Sequence, residues 1–147
     1  MSKTRKPIVI LMADDDAEDR MLARAALTES HLANELREVE DGEELLQYLR
    51  REGRYADPAT SPTPGVILID LNMPRVDGRT AIARIKADER LRHIPLVVLT
   101  TSSAETDIVR SYELGVSSYI TKPVTFAGLV AVMGSFGRYW FEIVELP

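Results

Sequence analysis

The chain has 147 residues, 45% of them hydrophobic, which fits one soluble domain built around a single core. It contains no cysteine, so disulfides, iron–sulfur clusters and thiolate zinc sites are excluded. With 18 basic residues against 23 acidic ones the net charge is −5, and no basic stripe is interleaved with aromatics, which disfavours nucleic-acid binding.

At the N-terminus Lys3, Arg5 and Lys6 precede an apolar run, but that run, Ile8 to Met12, stops at aspartates and is too short for an export signal. No segment approaches the roughly 18–20 apolar residues of a membrane span. A soluble, cytoplasmic protein that does not engage a membrane is expected.

"IVILM" (8–12), "VILID" (66–70), "PLVVL" (95–99) and the weaker "SSYIT" (117–121) are continuous apolar or β-branched runs bounded by turn residues. That pattern predicts parallel strands covered on both faces. "ELREV" (35–39) is charged and suits only an edge strand. Helical faces fall between the runs: Met21, Leu22, Ala25 and Ala26 in 17–30; Leu45, Leu46 and Leu49 in 42–51; Ala81, Ile82 and Ile85 in 78–88; and Ile108, Val109 and Tyr112 in 105–114. A last helix begins near Thr125. The segment "YADPATSPTPG" (55–65) reads as an exposed loop, and Arg50, Arg51 and Arg54 around Glu52 as a solvated helix end. Strand and helix alternate, which predicts an α/β fold with helices on both faces of a parallel sheet.

Ligands of open parallel sheets sit beyond the carboxyl ends of the strands. Those ends carry Asp14, Asp15 and Asp16, then Asp70 and Asn72, then Thr100 and Thr101, then Lys122. Five acids crowd into positions 14–19, and a bound cation would relieve their repulsion. An oxygen-rich group of carboxylates suits Mg²⁺, with coordination left over for phosphate oxygens. Thr100 could donate to one such oxygen and Lys122 neutralise another, while a carboxylate beside the metal attacks phosphorus to give an acyl phosphate.

The segments "MADDDAED", "VILIDLNMPRVDG", "PLVVLTTSSAETD" and "SSYITKP" resemble, in order and spacing, the signatures of bacterial two-component response-regulator receiver domains. The resemblance covers about residues 7–133 of a single domain spanning 1–147. Within the family the chain resembles stand-alone receivers paired with phytochrome-like sensor histidine kinases. The resemblance implies a flavodoxin-like, doubly wound five-stranded parallel sheet of order 2-1-3-4-5. It implies that Asp70 accepts a phosphoryl group from a kinase histidine. Asp15 and Asp70 would ligate Mg²⁺ directly, Asp14 through water and Asn72 through its main-chain carbonyl. Thr100 and Tyr119 would be the switch pair, Lys122 would bind a phosphoryl oxygen, and Pro123 would follow a cis peptide bond. Such a protein accepts phosphate rather than turning over a substrate, apart from slow loss of its own phosphoryl group.

Plainer roles stand beside these. Asp16 reads as the cap of the first helix and Asp19 as a first-turn acid facing its dipole. Asp77 and Gly78 read as a turn, the Thr101 hydroxyl as solvated, and His31 and His93 as residues without chemistry. Leu129, Met133, Phe136, Trp140 and Ile143 form a heptad-like stripe, with Tyr139, Phe141 and Val144 beside it. Part of it must face the core. The excess, together with the face of helix 4, strand 5 and helix 5, predicts a homodimer. Gly134 and Gly137 could mark a bend in that helix. Two other functions compete: a haloacid-dehalogenase-like aspartate-nucleophile phosphatase, whose Asp-x-Asp would be Asp14 and Asp16, and a pseudo-receiver that docks without phosphorylation.

Overall fold

In the computed structural model, residues 8–30 and 34–138 are described, except for the side chains of 136–138. Five parallel strands form one sheet: β1 (Val9–Ala13), β2 (Glu35–Val39), β3 (Val66–Ile69), β4 (Leu96–Thr100) and β5 (Ser118–Thr121), in the order β2-β1-β3-β4-β5. The helices are α1 (Ala17–Glu29), α2 (Gly42–Arg50), α3 (Gly78–Ala87), α4 (Glu105–Leu114) and α5 (Phe126–Arg138). This is the flavodoxin-like order expected from the sequence, with β2 at the edge where its charges fit.

The continuous apolar runs are explained by a two-sided core. Alternate strand residues point to opposite faces. Leu11, Ile67, Ile69, Leu96 and Val98 meet α2 and α3 on one face. Ile10, Met12, Val66, Leu68, Val97 and Leu99 meet α1 and α5 on the other. Burying each Leu, Ile or Val contributes about 1.5–3 kcal/mol.

Helix α3 buries Ala81, Ile82 and Ile85 as the periodicity predicts. Helix α1 is rotated from its expected face: Ala23, Ala26 and Leu27 are buried, whereas Met21 is half exposed and Ala25 faces solvent. The small Ala23 and Ala26 let the helix sit close to the sheet, and that contact outweighs burial of the longer Met21. In α2, Tyr48 is buried with Leu45 and Leu46, its hydroxyl donating to the Pro62 carbonyl at 2.8 Å, while Leu49 is only partly buried. Helix α4 departs most. Only Ser111 is buried, and Val109 and Tyr112 are each 50% exposed, because the short edge strand β5 offers little surface to cover.

The 55–65 segment is less exposed than expected. A 3₁₀ turn (Gly53–Tyr55) opens it, and Ser61 and Pro64 are buried. Helix α5 starts at Phe126, with the Thr125 hydroxyl accepting from the Gly128 N–H at 3.0 Å, and continues through Gly134 and Gly137 without a break. Met133 is buried and Leu129 packs on the same core. The rest of the predicted stripe, the side chain of Phe136 with Tyr139, Trp140, Phe141, Ile143 and Val144, lies outside the described residues, as does His31.

Candidate functional site

The site is assembled at the carboxyl ends of β1, β3, β4 and β5. Beyond Ala13 the chain is still tied to the sheet, since the Asp14 N–H donates to the Val39 carbonyl at 3.1 Å. The Asp14 carboxylate turns inward and is 1% exposed. Its Oδ1 accepts the Asp16 N–H at 2.9 Å, and its Oδ2 accepts from Lys122 at 2.7 Å. Burial pushes the Asp14 carboxyl above its ordinary pKa, and the Lys122 hydrogen bond only partly counters this.

Asp70 follows β3, its N–H bonded to the Ala13 carbonyl at 3.0 Å. Its Oδ1 accepts from the Thr100 hydroxyl at 2.7 Å and from the Asn72 N–H at 3.1 Å. Its Oδ2 accepts from Lys122 Nζ at 2.9 Å. Thr100, the last residue of β4, is fully buried, so its hydroxyl points at Asp70 rather than at water.

Lys122 is placed by its N–H donating to the Thr100 carbonyl at 2.7 Å. Its ammonium bonds Asp14, Asp70 and Asp19, the last also at 2.7 Å, so all three donor positions of the group are used. Burial pulls the ammonium pKa down, but the bonds to these carboxylates outweigh it and hold the group above the ordinary lysine range. One cation from a distant strand thus bridges two of the crowded acids, Asp14 and Asp19, and ties both to Asp70.

Oxygens of Asp14, Asp15 and Asp70 lie within 4.8 Å of one another, with Asp15 exposed and the other two buried. Three hard, anionic donors reached from one exposed side fit a small divalent cation of the Mg²⁺ type. Asp16 stands apart: its carboxylate caps α1, accepting the Glu18 and Asp19 N–H groups. The Asp14–Asp16 pair that a dehalogenase-type phosphatase needs is thus not assembled.

Tyr119 is half-buried beside this cluster, its hydroxyl donating to the Ser102 carbonyl at 2.8 Å. The Ser102 hydroxyl donates to Asp107 Oδ2 at 2.7 Å, and Arg79 donates through Nε and Nη2 to Asp107 Oδ1 at 3.2 and 2.8 Å. The hydrogen bond from Ser102, followed by that from Arg79, holds the Asp107 carboxyl below its usual range. Thr101 is exposed, as is His93. The expected cis bond before Pro123 is absent: the Lys122–Pro123 peptide is trans. A prolyl amide still favours trans, and Lys122 reaches all three carboxylates in that geometry.

Three contributors were missed by reading the sequence. Asp19 looks like a dipole acid, yet its position three residues after the cap turns it back over the strand ends and onto Lys122. Arg20 donates through Nη1 to the Asp14 carbonyl at 2.6 Å and pairs with Glu38 at 3.3 Å; the signal was a lone arginine inside an acidic run. Gly78, taken as an ordinary turn residue, packs on the backbone of the site. A Cβ there would lie 2.3 Å from the Asp70 carbonyl oxygen and 2.6 Å from Leu71 Cα. Asp77 beside it caps α3 through the Thr80 N–H.

The sheet order and the strand-end cluster agree with the family match: the chain belongs to the response regulator receiver domain family, whose signature matches residues 10–133. Its relatives include phytochrome response regulators. It is 39% identical to Response regulator Rcp1 of Synechocystis sp. over 99% of this chain and 97% of that protein. The crystal structure of the phosphorylated cyanobacterial phytochrome response regulator RcpA superposes with a TM-score of 0.89 at 39% identity, covering 97% of this chain and 99% of that one. The Mn²⁺-bound form of Rcp1 gives a TM-score of 0.85 at 40% identity, covering 96% and 99%.

Proposed function

We propose that this chain is a single receiver domain over 1–147 in which Asp70 accepts a phosphoryl group from a phosphohistidine of a cytoplasmic, phytochrome-type sensor kinase. The observation that carries this reading is the dressing of one carboxylate, Asp70, by a buried hydroxyl, a main-chain N–H and a lysine, with Asp14 and Asp15 alongside. In the transfer an Asp70 oxygen bonds phosphorus, the P–N bond breaks, and its electron pair returns to the imidazole nitrogen.

Asp15, Asp70 and the Asn72 main-chain carbonyl would hold Mg²⁺ directly, with Asp14 acting through water. When bound, Mg²⁺ supplies positive charge against the phosphoryl oxygens. Lys122 exchanges its bond to Asp70 for one to a phosphoryl oxygen. Thr100 keeps its donor role but now points at phosphate, drawing in the β4–α4 connection, and Tyr119 follows Ser102, whose carbonyl it already holds. Phosphate thereby shifts an equilibrium between two arrangements of the α4–β5–α5 face.

The signal leaves by protein contact. Val109 and Tyr112 on α4, with Val124 and Phe126 at the start of α5, expose apolar surface on that side, which supports a homodimer made through this face or the C-terminal helix. Sedimentation should show self-association at tens of micromolar, and a strict monomer with and without phosphate would retire it.

The deciding experiment is incubation with acetyl phosphate and intact-mass measurement. A phosphoryl adduct should form with Mg²⁺, fail without it, and be absent in Asp70→Asn. An adduct of equal yield on Asp70→Asn would overturn the assignment.

A further inference from the structure

The sheet has a second pole, opposite Asp70. There the end of α2, the chain entering β3 and the chain entering β4 border a solvent-open cavity of about 490 Å³, within the range of small-molecule sites. Three arginines line it, Arg50, Arg51 and Arg90, against the two acids Glu52 and Asp88. One oxygen of Asp88 is already engaged by the Arg90 N–H at 2.9 Å. None of the three guanidinium groups forms an ion pair among the described residues.

Arg51 is unusual in its backbone. It ends α2 in the left-handed conformation, φ 54°, where glycine is the ordinary choice. A long cationic side chain is kept at a position that disfavours any side chain, and its Nη2 is braced by the Thr63 hydroxyl at 2.8 Å. Strain of this kind concentrates where a side chain has a task. Ser61, 3% exposed, also lines the cavity, its N–H donating to the Asp57 carbonyl at 2.9 Å. Leu91 and Ile94 supply an apolar wall.

We propose that this cavity is a binding site for a phosphorylated small molecule with an aromatic or apolar body, of the nucleoside monophosphate class. The guanidinium forks and the Ser61 hydroxyl match phosphate oxygens, and the apolar wall takes the body. The site is separate from Asp70 and does not depend on its phosphorylation.

The test is titration of the ¹⁵N-labelled full chain with AMP and, separately, with inorganic phosphate, at constant ionic strength and without Mg²⁺. Saturable shifts are expected at Ser61, Thr63 and Arg90, at lower concentration for AMP than for phosphate, and unchanged in Asp70→Asn. Arg51→Gly suits the left-handed backbone, so it removes the charge without endangering the fold. It should weaken AMP binding about tenfold, the loss of one charge-assisted contact. Shifts confined to Asp14 and Lys122, no saturable shift, equal affinity for AMP and phosphate, or unaltered binding in Arg51→Gly would each overturn the proposal.

Discussion

The Thr100 hydroxyl donates to Asp70 Oδ1 at 2.7 Å from a residue with no exposed surface. This bond joins the ends of two neighbouring strands, β3 and β4, across the Asp70 carboxylate itself. Thr100→Val keeps the shape and removes the donor, while the Asn72 N–H remains on the same oxygen. Hydrogen bonds to charged groups are worth about 1.5–3 kcal/mol, and urea unfolding of Thr100→Val should show a loss at the low end of that range with unchanged m-value. Its Asp70 should still take phosphate from acetyl phosphate, since the nucleophile is intact. Wild-type stability in this variant would mean that the bond is not formed in solution.

Lys122 has a larger effect. Removing its charge as Lys122→Met leaves Asp14 and Asp70 buried without their cation. Breaking one side of a buried pair costs about 3–5 kcal/mol. The pH dependence carries a definite sign. Asp14 already has a raised pKa in the folded state, and loss of the Lys122 bond raises it further. A carboxyl whose folded pKa exceeds its unfolded value of 3.8 binds protons more tightly when folded. Stability therefore increases as pH falls through the folded pKa toward that unfolded value. Denaturation midpoints of Lys122→Met should accordingly rise relative to wild type on going from neutral to mildly acidic buffer. The wild-type ammonium contributes in the opposite window. Its folded pKa lies above the ordinary lysine value of 10.5, so its stabilisation is complete below that pH and is lost only as pH climbs through the folded value. A flat difference between the two proteins over the acidic range would contradict this account.

The architecture and the convergence of Asp14, Asp70, Thr100 and Lys122 were legible because they rest on strong, local patterns. Four apolar runs ended in Asp14, Asp70, Thr100 and Lys122, and parallel topology forces such ends together. What remained hidden depends on distance and angle. The face of α1 turned because Ala23 and Ala26 pack more closely than Met21 can, and periodicity alone does not rank alanine above methionine. The Arg79–Asp107–Ser102 clamp joins α3, α4 and the loop between β4 and α4, and no spacing rule links positions 79 and 107. Arg51 read as one of several solvated charges because the sequence does not reveal a positive φ. The trans bond before Pro123 departs from the family pattern rather than from any rule the residues themselves supply.

Asp15 separates metal binding from folding. It is exposed, whereas its two neighbours in the oxygen cluster are buried. Asp15→Asn should leave the stability of the metal-free protein within about 0.5 kcal/mol of wild type, as for surface changes in general. Saturating Mg²⁺ stabilises a protein that binds it by about 2.7 kcal/mol at one hundred times Kd. Thermal melts with and without Mg²⁺ should show that increment in wild type and little of it in Asp15→Asn. An equal Mg²⁺ shift in both proteins would place the ion elsewhere.

Gly78 tests how closely α3 must approach Asp70. Its N–H donates to the Leu71 carbonyl at 2.9 Å, so the helix start is fastened to the chain just beyond Asp70. A methyl group here would meet backbone atoms, the Asp70 carbonyl oxygen at 2.3 Å and Leu71 Cα at 2.6 Å, rather than a side chain that can swing away. Relief requires α3 and the Asp70–Asn72 segment to separate. Overpacking of this kind costs about 1–3 kcal/mol or more, and Gly78→Ala should lose at least that much in denaturant unfolding. The displacement acts on the very residue that carries the Asp70 carboxylate, so the rate of adduct formation from acetyl phosphate should fall even under conditions where the variant is fully folded. Gly78→Ala with native stability and native labelling would show that α3 can shift freely, and that the tight approach is not what holds Asp70 in place.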